Sequence, residues 1–210
     1  MSVTPNGATA VSLDVPPPER PSRLLRLPML AAAPLFALVA TALTFANGPQ
    51  LRSYGWSPLD HHGVPWPSSL AVLPHGWLQV LAFAVTGLAT LVLAQALPRS
   101  ARSIALTAAG LGLVAAMFAL DPPVGDPSHL TSWVRSWHAW VHVIGFGVVG
   151  MAVPIAMAAT RRRRDVILAA SVVAIVVVAG ALGWYAFLLV TLGWLTSVAY
   201  GAVNGAVRQR

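Results

Sequence analysis

Long apolar segments, separated by short polar ones, run through almost the whole chain. Four of them, residues 27–46, 77–97, 104–120 and 137–159, are close to the ~20 residues that a helix needs to cross the hydrocarbon core of a membrane. The fifth, residues 166–207, would form a straight helix of ~63 Å, about twice the membrane thickness. We therefore expect it to reverse once, at Gly183-Trp184-Tyr185.

This pattern predicts an all-α integral membrane protein with six transmembrane helices in one bundle. The predicted helices cover about residues 27–46, 77–97, 104–120, 137–159, 166–183 and 186–207. Residues 1–22 are rich in proline and poor in large apolar side chains, so we expect a disordered cytoplasmic tail followed by the membrane domain, 23–210. A cleaved secretory signal ending near Ala40-Thr41-Ala42 is the alternative, although the apolar segment continues past that site.

The composition supports a membrane protein. The chain is 57% hydrophobic and only 9% charged, whereas a soluble domain is about a quarter charged. It contains no cysteine, which excludes disulfides and thiolate metal sites. All basic residues are arginine, which indicates a bacterial origin. The net charge of +7 does not predict nucleic-acid binding, because the arginines lie between apolar segments and not beside aromatic residues on one soluble face.

The arginines predict the orientation. If both termini are inside, only Arg52 and Arg135 lie outside, which is a strong positive-inside bias. The arginines then inside are Arg20, Arg23, Arg26, Arg99, Arg102, Arg161, Arg162, Arg163, Arg164, Arg208 and Arg210. Most tryptophans fall at the opposite, outer side, where amphipathic rings prefer the headgroup level. The sequence therefore predicts a multi-pass protein of the cell membrane with both termini in the cytoplasm.

All six histidines map to the predicted outer side. His138 and His142 are four residues apart on one helix, so their rings share a face. Asp121 follows the third helix at a similar depth, and a carboxylate with two imidazoles suits zinc. The sequence requires no cofactor, but these three residues are a candidate zinc site. The alternative is that His138 is an interfacial residue between two tryptophans, and that Asp121 caps a loop or pairs with Arg135.

The predicted outer loop, residues 47–76, is long and rich in proline, and it contains Ser68 and Ser69. We interpret it either as a plain linker or as a cover over the outer site. We expect Ser68 or Ser69 to lie near Asp121, His138 and His142, so that all five residues form a candidate outer polar site. At the inner side, Arg161, Arg162, Arg163 and Arg164 predict an anchor to anionic lipid. The G-x-G-x-x-G pattern at residues 145–150 lies inside an apolar helix, which favours close helix packing over dinucleotide binding.

A series of short motifs and single residues lies in and next to the predicted outer loops: Tyr54-Gly55-Trp56-Ser57-Pro58-Leu59, Ser68-Ser69-Leu70, Leu73-Pro74-His75-Gly76-Trp77-Leu78-Gln79, Phe83, Gly87, Phe118, Asp121-Pro122-Pro123, His138 and His142. In this order, over residues 27–207, they resemble the bacterial and archaeal membrane family called domain of unknown function 998. The resemblance implies six helices, a serine in the first outer loop, an aspartate after the third helix and a histidine opening the fourth. Which serine and which histidine occupy the family positions is left open. The family has no assigned activity.

Two functional classes remain from the sequence. The first is a non-enzymatic membrane protein that interacts with lipids, with a second copy of itself or with another membrane protein. The second is a metal-dependent, membrane-embedded hydrolase acting on lipid at the outer leaflet. A transporter is a weaker interpretation, because the apolar segments carry only neutral polar residues where a transporter would carry charges or broken helices. The sequence does not decide whether the protein is an enzyme.

Overall fold

The computed structural model describes residues 23–53, 67–121 and 135–208, and every regular element within them is helical. The α-helices are α1 (Arg23–Ala46), α2 (Gly48–Ser53), α3 (Trp77–Gln95), α4 (Ala101–Ala115), α5 (Trp137–Ala158) and α6 (Arg163–Arg208). A short 3-10 helix, η1 (Ser68–Val72), lies between α2 and α3. The predicted tail, residues 1–22, lies outside the described residues.

Among the described residues, four helical segments are long and apolar enough to cross a membrane: Leu27–Ala46, Trp77–Gln95, Trp137–Ala158 and Gly183–Asn204. Helix α4 is also apolar but shorter, at 15 residues. Many large apolar side chains are exposed on the helix surfaces, for example Leu38 at 63% and Val178 at 84%. Such a surface is stable against lipid and not against water. The chain is therefore a helical membrane protein, as the apolar pattern predicts.

Glycines bring α3, α4 and α5 into close contact. A Cβ atom added at Gly87 would lie 2.8 Å from the carbonyl oxygen of Gly110, so the α3 and α4 backbones nearly touch. Gly112 and Gly145 make the same approach between α4 and α5, at 2.6 Å. By contrast, Gly147 has no atom within 4 Å of its added Cβ. Gly145, the first glycine of the G-x-G-x-x-G pattern, thus serves helix packing.

The antiparallel order of these helices gives the bundle two distinct ends. At the histidine end, α1 and α4 end while α3 and α5 begin, and the Asn47 side chain donates a hydrogen bond of 3.2 Å to the Pro74 carbonyl. At the arginine end, α3 and α5 end while α4 and α6 begin. There Ser100 starts α4 with a capping box, because its hydroxyl accepts from the Ser103 amide and the Ser103 hydroxyl accepts in return.

Helix α6 has helical backbone over all of its 46 residues, yet it is not straight. Asp165, near its start, and Val198, near its end, line one cavity at the arginine end. In a straight helix these two residues would be ~50 Å apart. A Cβ atom at Gly183 would also clash with the Ile175 carbonyl oxygen, although eight residues of helix advance ~12 Å. Helix α6 therefore folds back on itself.

Helix α4 ends at Ala115, whereas the apolar pattern predicts helix to residue 120. A turn follows over Ala116 and Met117, and Leu120 is buried at 4% exposure outside any helix. The segment is apolar and partly to fully buried although it is not helical, so hydropathy alone extends the predicted helix too far. The non-helical segment that follows α4 brings Asp121 to the start of α5.

Candidate functional site

The 3-10 helix η1 is inserted into the histidine end of the bundle. Ser68, Ser69 and Leu70 are buried, at 5%, 0% and 0% exposure. Gly76 allows this insertion, because any Cβ there would clash with the carbonyls of η1. His75, just before it, adopts a positive φ of 61°, which is uncommon for a residue with a side chain. The tight turn before α3 therefore fixes the position of the two serines.

Ser68 meets His142 of α5 inside the bundle. The Ser68 hydroxyl and His142 Nε2 are 2.7 Å apart and share a buried hydrogen bond across 74 positions of sequence. Phe83 meets the His142 ring edge-on with centroids 5.6 Å apart, and Phe146 stacks parallel to it at 6.2 Å. The aromatic walls hold the imidazole in one orientation, so that Nε2 faces the serine.

Several polar atoms near this end have no hydrogen-bond partner within the part of the chain that the structure describes. They are the Ser69 hydroxyl and both amide atoms of Gln79. Nδ1 of His142 makes no hydrogen bond of good geometry, although the backbones of Ala116 and Phe118 lie close to the ring. Gln79 is fully buried and precedes Phe83 by one helical turn, so it lies on the α3 face that contacts the His142 ring. A buried polar group without a partner is unfavourable. The region around Ser68 and His142 can therefore accept further polar partners.

Asp121 forms a second polar cluster at the histidine end. Its carboxylate accepts the Ser136 hydroxyl at 2.8 Å, and the Arg135 and Ser136 amides at 2.8 and 2.6 Å. His138 Nε2 lies 3.2 Å from the carboxylate and 2.9 Å from the Ser136 hydroxyl. Partial burial acts to raise the pKa of Asp121, but the hydrogen bonds from Ser136 and Arg135, with nearby His138, outweigh it and lower the pKa below its ordinary value.

The structure thus brings together some residues of the predicted site. Asp121 contacts His138, whereas His142 is bonded to Ser68. Within residues 23–53, 67–121 and 135–208, no three His, Cys, Asp or Glu side chains are arranged to hold one metal ion. The Asp121 oxygens are already engaged by three donors, which leaves them fewer lone pairs for a metal. The zinc site stays a prediction.

Two important residues do not stand out in the sequence prediction. Ser136 is the N-cap of α5, accepting the Ala139 amide, and it also joins Asp121 to His138. A serine before a long apolar run is a recognisable N-cap signal, although it does not indicate the other two contacts. Gln79 is an amide within an apolar segment, which is the available signal for a special role.

The arginine end carries the predicted lipid anchor. Arg161, Arg162, Arg163 and Arg164 are all exposed. Arg161 has a positive φ of 56° where the chain leaves α5. Asp165 is buried beside them and accepts the Thr160 hydroxyl at 2.9 Å. The turn between α5 and α6 therefore presents four basic side chains outward while its carboxylate faces inward.

No protein-family model, no curated protein and no solved structure matches this chain. The resemblance to domain of unknown function 998 stays a prediction. The fold alone defines the class of this protein: it is a helical membrane protein with a polar cluster at one end of the bundle and basic residues at the other.

Proposed function

We propose that this is a six-crossing protein of the cell membrane, with both termini in the cytoplasm. Four long apolar helical segments and the shorter α4 support five crossings. The fold-back of α6 supports the sixth, since its first half then forms a crossing of its own. The placement of nearly all arginines at one end supports the orientation. Reporter fusions next to Ser53 and next to Arg162 test this, and an outward position for Arg162 would overturn it.

The sixth crossing has its own test, because the chain has no cysteine and can be labelled at chosen sites. Spin labels at Val166 and Tyr200, both exposed, would be ~51 Å apart in a straight helix. In the folded-back α6 we expect well under half of that distance. Pulsed electron paramagnetic resonance measures it directly, and a value near the straight-helix length would remove the sixth crossing.

We infer that the protein acts by interacting with lipids and does not catalyse a reaction. The observation that carries this is the exposed row Arg161–Arg164, at the end of a bundle whose sides are apolar. Each arginine near an anionic surface contributes ~1 kcal/mol of attraction. Native mass spectrometry of the purified protein should show retained anionic phospholipid in preference to phosphatidylcholine. Equal retention of the two lipids would contradict this function.

A hydrolase acting on lipid at the outer leaflet is the second candidate, and the Ser68–His142 pair favours it. The separation of 2.7 Å is within the range in which a histidine can take the proton of a serine nucleophile. A fluorophosphonate probe should then label the wild type but not Ser68→Ala, with Ser136→Ala as the control that keeps Ser68. Absence of labelling together with absence of stoichiometric zinc would remove both the serine form and the metal-dependent form of this candidate.

A further inference from the structure

A cavity of about 550 Å³ opens at the arginine end of the bundle. Its walls come from the segment just after α3, the start of α4, the turn between α5 and α6, and both the start and the last third of α6. The fold-back of α6 creates it, since the two ends of that helix form opposite sides. The lining combines apolar side chains such as Leu97 and Val198 with charged and hydroxyl groups.

The charges in this cavity are unequal. Three guanidinium groups line it, those of Arg102, Arg162 and Arg164, against the single carboxylate of Asp165. That carboxylate is already engaged, since it accepts the Thr160 hydroxyl and lies 3.7 Å from Arg164. The cavity therefore has an excess of positive charge and donors, which is the requirement for an anionic ligand.

Arg102 is held in place for such a ligand. Its guanidinium lies over the Trp194 ring at 5.7 Å, a cation–π contact that fixes its position. Its Nε is buried and has no hydrogen-bond partner among the described residues. A buried guanidinium donor without an acceptor is unfavourable unless something else accepts from it. The sequence gives no sign of this role, because Arg102 reads only as a topology signal.

We propose that this cavity binds a phosphate group, with the headgroup of an inner-leaflet anionic phospholipid as its source. A single guanidinium group can donate two parallel hydrogen bonds to one phosphate. Arg102 and Arg162 line the cavity from different walls, so each can donate to the same phosphate group. The apolar part of the lining suits the glycerol region of a lipid. This inference rests on the proposed orientation and lipid interaction, and it replaces a diffuse attraction by one discrete site.

Matched arginine variants separate the cavity from the basic row. Arg102→Gln and Arg162→Gln remove guanidinium groups that line the cavity, whereas Arg161→Gln and Arg163→Gln remove the same charge from residues that do not. Phosphatidylglycerol is titrated into delipidated protein and followed by native mass spectrometry. We expect about a tenfold loss of affinity in the cavity variants, the size of one charge-assisted hydrogen bond, and less than about twofold in the other pair.

The outcomes are distinct. Equal losses in all four variants would leave the lipid interaction standing and overturn the cavity site. No preference for phosphatidylglycerol over phosphatidylcholine in the wild type would overturn the proposed function as well. Arg102→Lys controls for misfolding, because it keeps the positive charge and replaces only the planar guanidinium group. It should also bind phosphatidylglycerol more weakly than the wild type. If the wild type binds inorganic phosphate but not phosphatidylglycerol, and Arg102→Gln loses phosphate binding, the cavity is a phosphate site for a soluble anion and the lipid headgroup is excluded as its source.

Discussion

Ser68 and Ser69 are adjacent and both buried, but the structure predicts different effects of replacing them by alanine. Ser68 shares the 2.7 Å hydrogen bond with His142, whereas the Ser69 hydroxyl has no partner among the described residues. Ser68→Ala should therefore destabilise the protein. Ser69→Ala should leave its stability unchanged or increase it, because it removes a buried hydroxyl that forms no hydrogen bond.

The magnitude for Ser68 follows from what remains after the substitution. His142 is 1% exposed, and its Nδ1 already lacks a partner among the described residues. Without Ser68 the buried Nε2 would be unsatisfied, which costs ~1–3 kcal/mol for a buried group. Ser68→Ala with His142→Phe removes both partners, and phenylalanine fits between Phe83 and Phe146. The double variant should recover most of the loss, since removing both members of a buried pair is nearly neutral.

Thermal unfolding in detergent, followed by tryptophan fluorescence, compares the four proteins. The reasoning predicts the order Ser69→Ala at or above wild type, the double variant slightly below, and Ser68→Ala lowest. The reasoning is refuted if Ser69→Ala is as destabilising as Ser68→Ala. That result would mean that burial of η1, and not the contact with His142, determines stability here.

Three further predictions follow from other contacts. Gly145→Val should strongly reduce folded yield because its side chain would overlap the α4 backbone, whereas Gly147→Ala should be neutral or stabilising; size-exclusion profiles compare them. Below the ordinary carboxyl pKa of ~3.9, acidification towards the lowered pKa of Asp121 should lower the melting temperature of the wild type, because the hydrogen bonds to the carboxylate stabilise the fold only while it is ionised. Asp121→Asn should melt lower at neutral pH and lose less on acidification. Ser136→Ala should cost ~1–2 kcal/mol of stability and should reduce the loss on acidification, because the Arg135 and Ser136 amides still donate to the Asp121 carboxylate.

The sequence predicts the long helices well because apolar length is a direct physical requirement of the membrane. Helices α3 and α5 begin at Trp77 and Trp137, where the pattern places them. The fold-back of α6 also follows from length alone, because a straight helix would be too long; its exact position at Gly183-Trp184-Tyr185 stays a prediction. The end of helix α4 was harder to predict, since apolar character does not distinguish a membrane helix from a buried turn.

The site was only partly predictable. Shared depth relates Asp121 to His138, and the structure places them in contact. The candidate outer site groups Ser68 and Ser69 with His142, but the sequence could not decide which serine contacts it, because η1 shows no periodic pattern and Ser68 lies 74 positions away. Arg102 looks the same in sequence as any other arginine at a helix start. Arg102 differs from the other arginines because its guanidinium group lies over the Trp194 ring of the folded-back α6, a contact that only tertiary packing creates.

The short length of α4 has a consequence for the surrounding bilayer. With 15 residues it spans ~22 Å, whereas the 22 residues of α5 span ~33 Å. Exposed Ile104 and Leu111 show that one side of α4 faces lipid. As a membrane crossing, α4 would be shorter than the hydrocarbon core, and the lipid beside it would thin or dip to match it. This mismatch would bring headgroups and water sideways towards Asp121 and His138, and it would favour residence in thinner regions of membrane.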